Sequence, residues 1–251
     1  MPEQTIRKTI VVLPAFNEEK NLPHLFGRIR IVMDGACQPY EVIVVDDGST
    51  DATAEVTRIW AGQMPVALLQ HESNQGLGVT LRDGLDAATR QSGPRDVIVT
   101  MDADDSHDPA VIPSMLKLVD DGADLVIGSR FSPGAIVRGV PWHRQFMSLA
   151  ASWLFRALFP VRGVRDYTSG FRAYSAPSLA DATRKYNGRL VDQAGFQCMA
   201  DMLLKLRRLP LRFCEVPMTL RYDRKQGASK MKVARTAART LALILQRRLG
   251  H

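Results

Sequence analysis

Four carboxylates fall within seven positions of the stretch MDADDSHDP: Asp102, Asp104, Asp105 and Asp108, with no Lys or Arg between them. Such self-repulsion calls for a compensating cation. Oxygen donors without sulfur suit Mg²⁺ or Mn²⁺, and Mg²⁺ typically takes only one or two protein carboxylates together with substrate phosphate. The spacing does not match an EF-hand loop. Asp108 before Pro109 reads as a helix N-cap with proline at the first helical position, and Asp105 reads as exposed. Asp102 and Asp104 end an apolar strand where acids have no structural task, so they are the candidates for cation binding.

A second acidic pair, Asp46-Asp47, ends the run EVIVV and precedes GSTD. Acids at that location commonly accept hydrogen bonds from a nucleotide's base or ribose. Asp47 is the candidate ligand, although either acid could instead hold the turn, and Asp51 reads as an N-cap. Pro14-Ala15-Phe16-Asn17-Glu18 follows the first strand and by itself reads as a turn and helix start. Asn74-Gln75-Gly76-Leu77-Gly78 is Gly-rich, but the dinucleotide fingerprint is incomplete and there is no Walker A lysine, so NAD and P-loop chemistry are excluded. In the second half of the chain, Arg130 in GSR, Arg172 in TSGFR and the cationic stretch 223–230 (DRKQGASK) are donors of the kind a diphosphate at a metal site would need. Otherwise that stretch is a solvated charge run.

The elements that must position these residues are legible as punctuated apolar runs. Strands are predicted at 9–13, 41–45, 66–70, 96–101 and 124–128, with helices over 17–34, 51–61 and 108–121 between them. Gly35, Gly62 and Gly122 stand just past the helix ends. This alternation predicts right-handed βαβ units and a mixed, mostly parallel α/β sheet with helices on both faces, and ligands then sit at the strands' C-terminal ends. Further on, helices are predicted over 144–159 and 197–208, a late strand over 211–220, and a basic amphipathic helix over 231–249. The corresponding division is a catalytic domain, 1–230, and a C-terminal helix, 231–251.

The 251 residues are 45% hydrophobic and 24% charged, an ordinary globular composition that excludes disorder, collagen and coiled coil. Three cysteines without a CxxC fit neither a disulfide framework nor a zinc site, and point to a reducing cytosol. No apolar run reaches the length of a spanning helix, and the N-terminus is too polar for a signal peptide. The net charge of +7 hides an asymmetry: residues 1–135 carry −9 and residues 136–251 carry +16. A basic nucleic-acid module has no supporting motif. The basic half better suits an anionic membrane surface, with Arg235, Arg239, Arg247 and Arg248 beside Leu241, Ile244 and Leu245 in one helix, and Phe146, Leu149, Trp153 and Leu154 in another. Core packing or a dimer contact is the competing reading of both helices.

Taken in order, PAFNE (14–18), VVDDGSTD (44–51), NQGLG (74–78), MDADDSHDP (101–109), GSR (128–130), DYTSGFRAY (166–174), GFQ (195–197), EVP (215–217) and DRKQGASK (223–230) resemble family 2 glycosyltransferases of the GT-A fold, most closely the polyprenyl- or dolichyl-phosphate mannose synthases. The resemblance covers almost the whole chain. It implies that Pro14, Phe16, Glu18, Val45 and Asp47 line a nucleoside pocket. It further implies that Asp102, Ala103 and Asp104 hold the donor and a Mg²⁺ or Mn²⁺ ion, Asp104 being the metal ligand proper. Arg130, Arg224 and Lys230 then engage the donor's phosphates and the acceptor. GDP-mannose as donor, a polyprenyl phosphate as acceptor, inversion at the anomeric carbon and peripheral attachment at the cytoplasmic face of a membrane are likewise carried by the resemblance. Two departures stand out: Phe16 replaces a frequent Tyr, and Met199 stands where the family has an acid, with Asp201 nearby. Segment 183–193 also differs from those synthases, and the chain shows none of the transmembrane helices that many members append.

A phosphate monoester acceptor is mostly dianionic at neutral pH and needs no protein base. A sugar hydroxyl does need one, and Asp166 and Asp192 are the candidates, which leaves transfer to a saccharide or other small hydroxyl acceptor as the competing function.

Overall fold

The computed structural model describes residues 7–226 and 233–248. Its elements run β1 (Thr9–Ala15), α1 (Leu22–Gly35), β2 (Tyr40–Asp46), α2 (Thr53–Ala61), β3 (Val66–Gln70), α3 (Leu77–Gln91), β4 (Val97–Thr100), a single 3₁₀ turn (Pro109–Val111), α4 (Ile112–Asp120) and β5 (Leu125–Ser129). There follow β6 (Ile136–Arg138), α5 (Trp142–Leu158), β7 (Arg172–Ser175), α6 (Ala176–Lys185), α7 (Cys198–Leu206), β8 (Phe213–Pro217), β9 (Thr219–Arg221) and α8 (Val233–Arg248). Seven strands form one sheet in the order β3-β2-β1-β4-β7-β5-β8, all parallel except β7, which runs antiparallel between β4 and β5. β6 and β9 make a small parallel pair of their own.

The central strands β1, β2, β4, β7 and β5 are largely buried on both faces, as parallel sheets are, while the edge strands β3 and β8 are only partly buried, and alternate residues serve opposite layers. Ile10 and Val12 of β1 pack with Leu81 and Leu85 of α3, while Val11 and Leu13 pack with α1 and α4. α1 presents Leu22, Leu25, Phe26, Ile29 and Met33 to that second layer, the spacing of a one-sided helix. The chain runs β1 to β3 outward on one side and returns with β4 on the other side of β1. The topological switch therefore lies at the C-terminal ends of β1 and β4, where an open α/β sheet binds its ligand.

Several predicted elements differ from those observed. α1 begins at Leu22 rather than at 17, because Asn17 takes φ 55° and is stitched to the loop after β2: its amide donates to Ser49 Oγ at 2.8 Å and its side-chain oxygen accepts from Thr50 N at 2.8 Å. The predicted late strand divides in two, β8 pairing with β5 and β9 with β6. The short β7 and the polar helix α6, capped by Ser175 and carrying a proline in its first turn, were not predicted, and neither was α3. The second glycine of NQGLG has a packing task. A Cβ on Gly78 would lie 1.7 Å from the Gln193 carbonyl oxygen, while the Gly78 amide donates to Ala194 O at 3.0 Å.

α8 is not a detached appendage. Leu243 and Ile244 are buried in the same layer as α7, and Arg247 donates from Nε and Nη2 to the two oxygens of Asp201 at 2.7 and 2.9 Å. Leu245 and Arg248 remain exposed, while the side chains of Arg235 and Leu241 lie outside the described residues. α5 likewise splits between two roles. Phe155 and Phe159 are core, Leu154 packs against it, and Trp142, Phe146, Leu149 and Trp153 form an exposed stripe at helical spacing.

Candidate functional site

β4 delivers the acidic stretch to the switch point, and its loop is internally braced. The Asp102 amide lies 3.1 Å from His107 Nδ1, and His107 Nε2 lies 3.7 Å from Asp102 Oδ2. The His107 ring stacks on Phe171, with centroids 5.2 Å apart. The Asp102 side chain keeps half of its surface open to solvent. Its pKa is raised by desolvation in the cleft, with the neighbouring Asp104 charge adding and His107 opposing.

Asp104 is buried. Oδ1 accepts from Ser106 N at 3.1 Å and Ser106 Oγ at 2.6 Å, and Oδ2 accepts from Lys225 Nζ at 2.5 Å. Burial alone would raise its pKa, but the Lys225 ammonium and the Ser106 hydroxyl outweigh it and hold the carboxyl below the usual value. Asp105, expected to be exposed, is instead buried with φ 62° and pairs with Arg28 of α1. Asp108 caps the 3₁₀ turn by accepting from Ala110 N, as expected. Ala103 is buried in the core layer and can offer only backbone to a ligand.

The acidic pair after β2 is committed to loop geometry. Asp46 accepts from Ser49 N at 3.1 Å, and its Oδ2 is buried with no partner among the described residues. Asp47 is only 3% exposed. It accepts from Gln75 N at 2.8 Å and Gly76 N at 2.9 Å, and is bound to His71 Nδ1 at 2.9 Å. His71 reaches on to Asp83 of α3 at 3.2 Å. Both acids therefore hold turns, and Asp47 has little accepting capacity left for a nucleoside. The Val45 side chain faces α3 in the core, so its place in a nucleoside pocket is limited to its backbone. Asp51, expected as an N-cap, stands one residue before the N-cap Ala52 of α2; its carboxylate accepts from Thr53 N at 3.0 Å and from Glu19 N at 3.2 Å and so closes the turn into the helix. Pro14 and Phe16 are partly exposed at the end of β1, next to the buried Glu18, which accepts from Asn21 Nδ2 at 2.6 Å.

The cations arrive from the other side of the switch. Arg130, at the end of β5, donates from Nε and Nη2 to the two oxygens of the fully buried Asp166 at 2.8 and 2.7 Å, and from Nη2 to Thr168 Oγ at 2.7 Å. Asp166 also accepts from the amides of Arg130, Thr168 and Ser169. Burial would raise its pKa, and Arg130 overrides that to lower it. Arg172 is not a ligand: it is fully buried and donates to the carbonyls of Tyr167 and Ser169. Arg224 Nη1 is buried 4.0 Å from Asp108 Oδ2, with no hydrogen-bond partner among the described residues. Lys230 lies outside the described residues.

The donor set fits a hard divalent cation: carboxylate oxygens only, one of them already answering a positive charge from Lys225. Among the described residues no three His, Cys, Asp or Glu side chains converge to enclose a metal. The protein would thus supply one or two oxygens and leave the remaining positions to substrate phosphate and water, the usual arrangement for Mg²⁺. Sequence reasoning missed Lys225, His107, Asn21, Arg28 and His71. Lys225 was visible only as one member of a charge run, and the others became functional candidates only through their partners in space.

The sequence profile described as glycosyl transferase family 2 matches residues 10–182. The polyprenol monophosphomannose synthase of Mycolicibacterium smegmatis is 37% identical over 227 residues, 90% of this chain and 81% of that protein. The dolichol-phosphate mannosyltransferase of Pyrococcus furiosus is 34% identical over 226 residues, again 90% of this chain but 59% of that longer protein. Among solved structures, the glucosyl-3-phosphoglycerate synthase of Mycobacterium tuberculosis, in complex with Mn²⁺, uridine diphosphate and glucosyl-3-phosphoglycerate, superposes with a TM-score of 0.68 at 25% identity, covering 96% of this chain and 80% of that one. With its strand-end acids carried on the same sheet and its sequence matched over most of its length, the chain belongs to glycosyl transferase family 2 and is a glycosyltransferase of the GT-A fold.

Proposed function

We propose that the protein transfers a hexosyl group, mannose from GDP-mannose, onto the phosphate of a polyprenyl phosphate, with inversion and with a divalent cation held by Asp104 and Asp102. The observation that carries this reading is the state of the two carboxylates that a hydroxyl acceptor would need as base. Asp166 is buried, saturated by hydrogen bonds and held below the usual pKa. Asp192 is paired with Lys205 at 2.9 Å and is also lowered: burial would raise it, and the bonds to Lys205 reverse that. A carboxylate so stabilised is a weak base at neutral pH. An acceptor that brings its own dianionic nucleophile needs none. The names of the relatives support the same acceptor class.

When bound, the cation supplies charge neutralisation to the departing nucleoside diphosphate. The chain's own residues do the rest. Pro14, Phe16 and Glu18 border the nucleoside, with Asp47 fixing the loop behind it. Arg224 and Lys230 meet the phosphates, and Arg130, held rigid by Asp166, borders the sugar-phosphate from the β5 side. Presenting polyprenyl phosphate and the corresponding neutral polyprenol side by side tests the acceptor directly. Only the phosphate is expected to be glycosylated, and turnover of the alcohol at a comparable rate contradicts the reading.

The same proposal includes peripheral attachment to the cytoplasmic face of a membrane. No helix among the described residues is long and apolar enough to cross a bilayer. The stripe on α5, with Trp142 80% and Trp153 69% exposed, offers apolar area, and the basic second half offers charge. Vesicles containing anionic lipid are expected to retain the protein at low salt and less of it at high salt. Phe146→Glu with Trp153→Glu should lower retention at both salt concentrations, and unchanged retention by that variant removes α5 from the interface.

A further inference from the structure

Lys225 follows β9, and its ammonium stands where acids from separate elements face one another. Nζ donates to Asp104 Oδ2 at 2.5 Å. Glu18 and Asp102 add further negative charge around it. The backbone around it is pinned. Gln226 N donates to Asn21 Oδ1 at 2.9 Å, Asn21 Nδ2 donates back to Gln226 O at 3.1 Å, and Tyr222 N donates to Arg138 O at 3.0 Å. Asn21 is itself 2% exposed at the start of α1. The Lys225 ammonium lies 5.7 Å from the centroid of the Tyr222 ring. Lys225 is therefore a side chain aimed into the acidic cleft from a segment latched to the opposite wall.

Two cations cannot share one carboxylate oxygen without strong repulsion. We propose that Lys225 is a placeholder: in the donor-free enzyme its ammonium occupies the position at Asp104 that the divalent ion takes in the working complex, so the metal binds poorly alone and enters together with a nucleoside diphosphate. The inference rests on the reading of Asp104 as the metal ligand. The diphosphate brings the negative charge that a second cation requires. It also gives the displaced Lys225, and Arg224, whose Nη1 faces Asp108 Oδ2 only at 4.0 Å, an anion to meet.

The test is a Mn²⁺ titration of the full chain, read from the electron paramagnetic resonance signal of the free ion, with and without GDP or UDP. Lys225→Met is expected to bind Mn²⁺ alone about tenfold more tightly than the unaltered protein, a shift of about one pKa unit's worth of interaction, and the difference should shrink once nucleotide is present. Asn21→Ala, which unlatches the segment and frees Glu18 of one donor while leaving Asp102 and Asp104 as they are, should move the affinity in the same direction by less. Equal or weaker Mn²⁺ binding by Lys225→Met overturns the proposal, as does an absence of Mn²⁺ binding by every form with nucleotide present. Asp104→Asn separates the two readings. If it keeps nucleotide-dependent Mn²⁺ binding, the metal site lies elsewhere and both readings fall. If it loses binding while Lys225→Met matches the unaltered protein, the metal site stands and the placeholder alone fails.

Discussion

Asp104→Asn is expected to lower metal-dependent glycosyl transfer by about 10³-fold or more, the scale on which removing one preorganised charge-stabilising group acts. The substitution is nearly isosteric. The amide oxygen can still accept from the Ser106 amide and hydroxyl that now hold Oδ1, so the loop after β4 keeps its shape. What disappears is the charge: the carboxylate held below its usual pKa by Lys225 can no longer attract a cation of any kind. Donor consumption and product formation should fall together; stability falls as well, because the buried Lys225 ammonium loses its counter-charge, so activity is compared at a temperature where the variant is folded. Activity within tenfold of the unaltered protein would place the metal site elsewhere.

Asp166→Asn is expected to act chiefly on stability. Asp166 is fully buried and Arg130 keeps only 20% of its side chain exposed, so neutralising the acid leaves a guanidinium without its counter-charge. Breaking a buried pair in this way costs about 3–5 kcal/mol, which for a chain of this size is a melting temperature lower by roughly 10 °C. The pH dependence has a definite sign. Because the folded pKa of Asp166 is lowered, the native state binds fewer protons than the unfolded chain between the two values. The pair's contribution is complete above the unfolded value of about 3.9 and is lost as pH falls through the folded one. The variant should therefore show a flatter acid limb in its stability profile below about pH 4. Transfer activity at neutral pH should fall modestly as Arg130 loses its aim, with no change in the acid limb of the rate profile. A variant that folds with unaltered stability but loses the acid limb of kcat would make Asp166 the catalytic base and return the hydroxyl-acceptor reading.

β1, β2, β4 and β5 were readable because each is an apolar run rich in β-branched residues and largely buried on both faces, β3 because its short apolar run stands alone between polar stretches, and the acids at the ends of β2 and β4 stand out against such runs. The ordered motifs carried the family from the same residues. β7 was invisible for a local reason: four residues with Arg172 and Ser175 at their ends have no strand pattern, and only insertion between β4 and β5 makes them a strand. Arg172 and Arg130 show the same limit among the cations. Their types suggested phosphate donors, yet Arg172 holds the carbonyls of Tyr167 and Ser169 and Arg130 is braced by Asp166, relations that no spacing discloses. Asp47 was read as a nucleoside ligand, but its hydrogen bonds go to the backbone of 75–76 and to His71, so any influence on a nucleoside passes through the loop it holds. Asp201, near the Met199 position where the family has an acid, anchors Arg247 and thus α8.

Transfer of a sugar from a nucleotide onto a lipid phosphate with a divalent cation can be followed by incubating the protein with a panel of labelled nucleotide sugars, a short polyprenyl phosphate and either Mn²⁺, Mg²⁺ or a chelator, then partitioning the label between organic solvent and water. Label from GDP-mannose in the organic phase, present with metal and abolished by the chelator, is the predicted result. Donor consumption with metal but with all label left in the aqueous phase would contradict the lipid-phosphate acceptor and turn the search to hydroxyl acceptors.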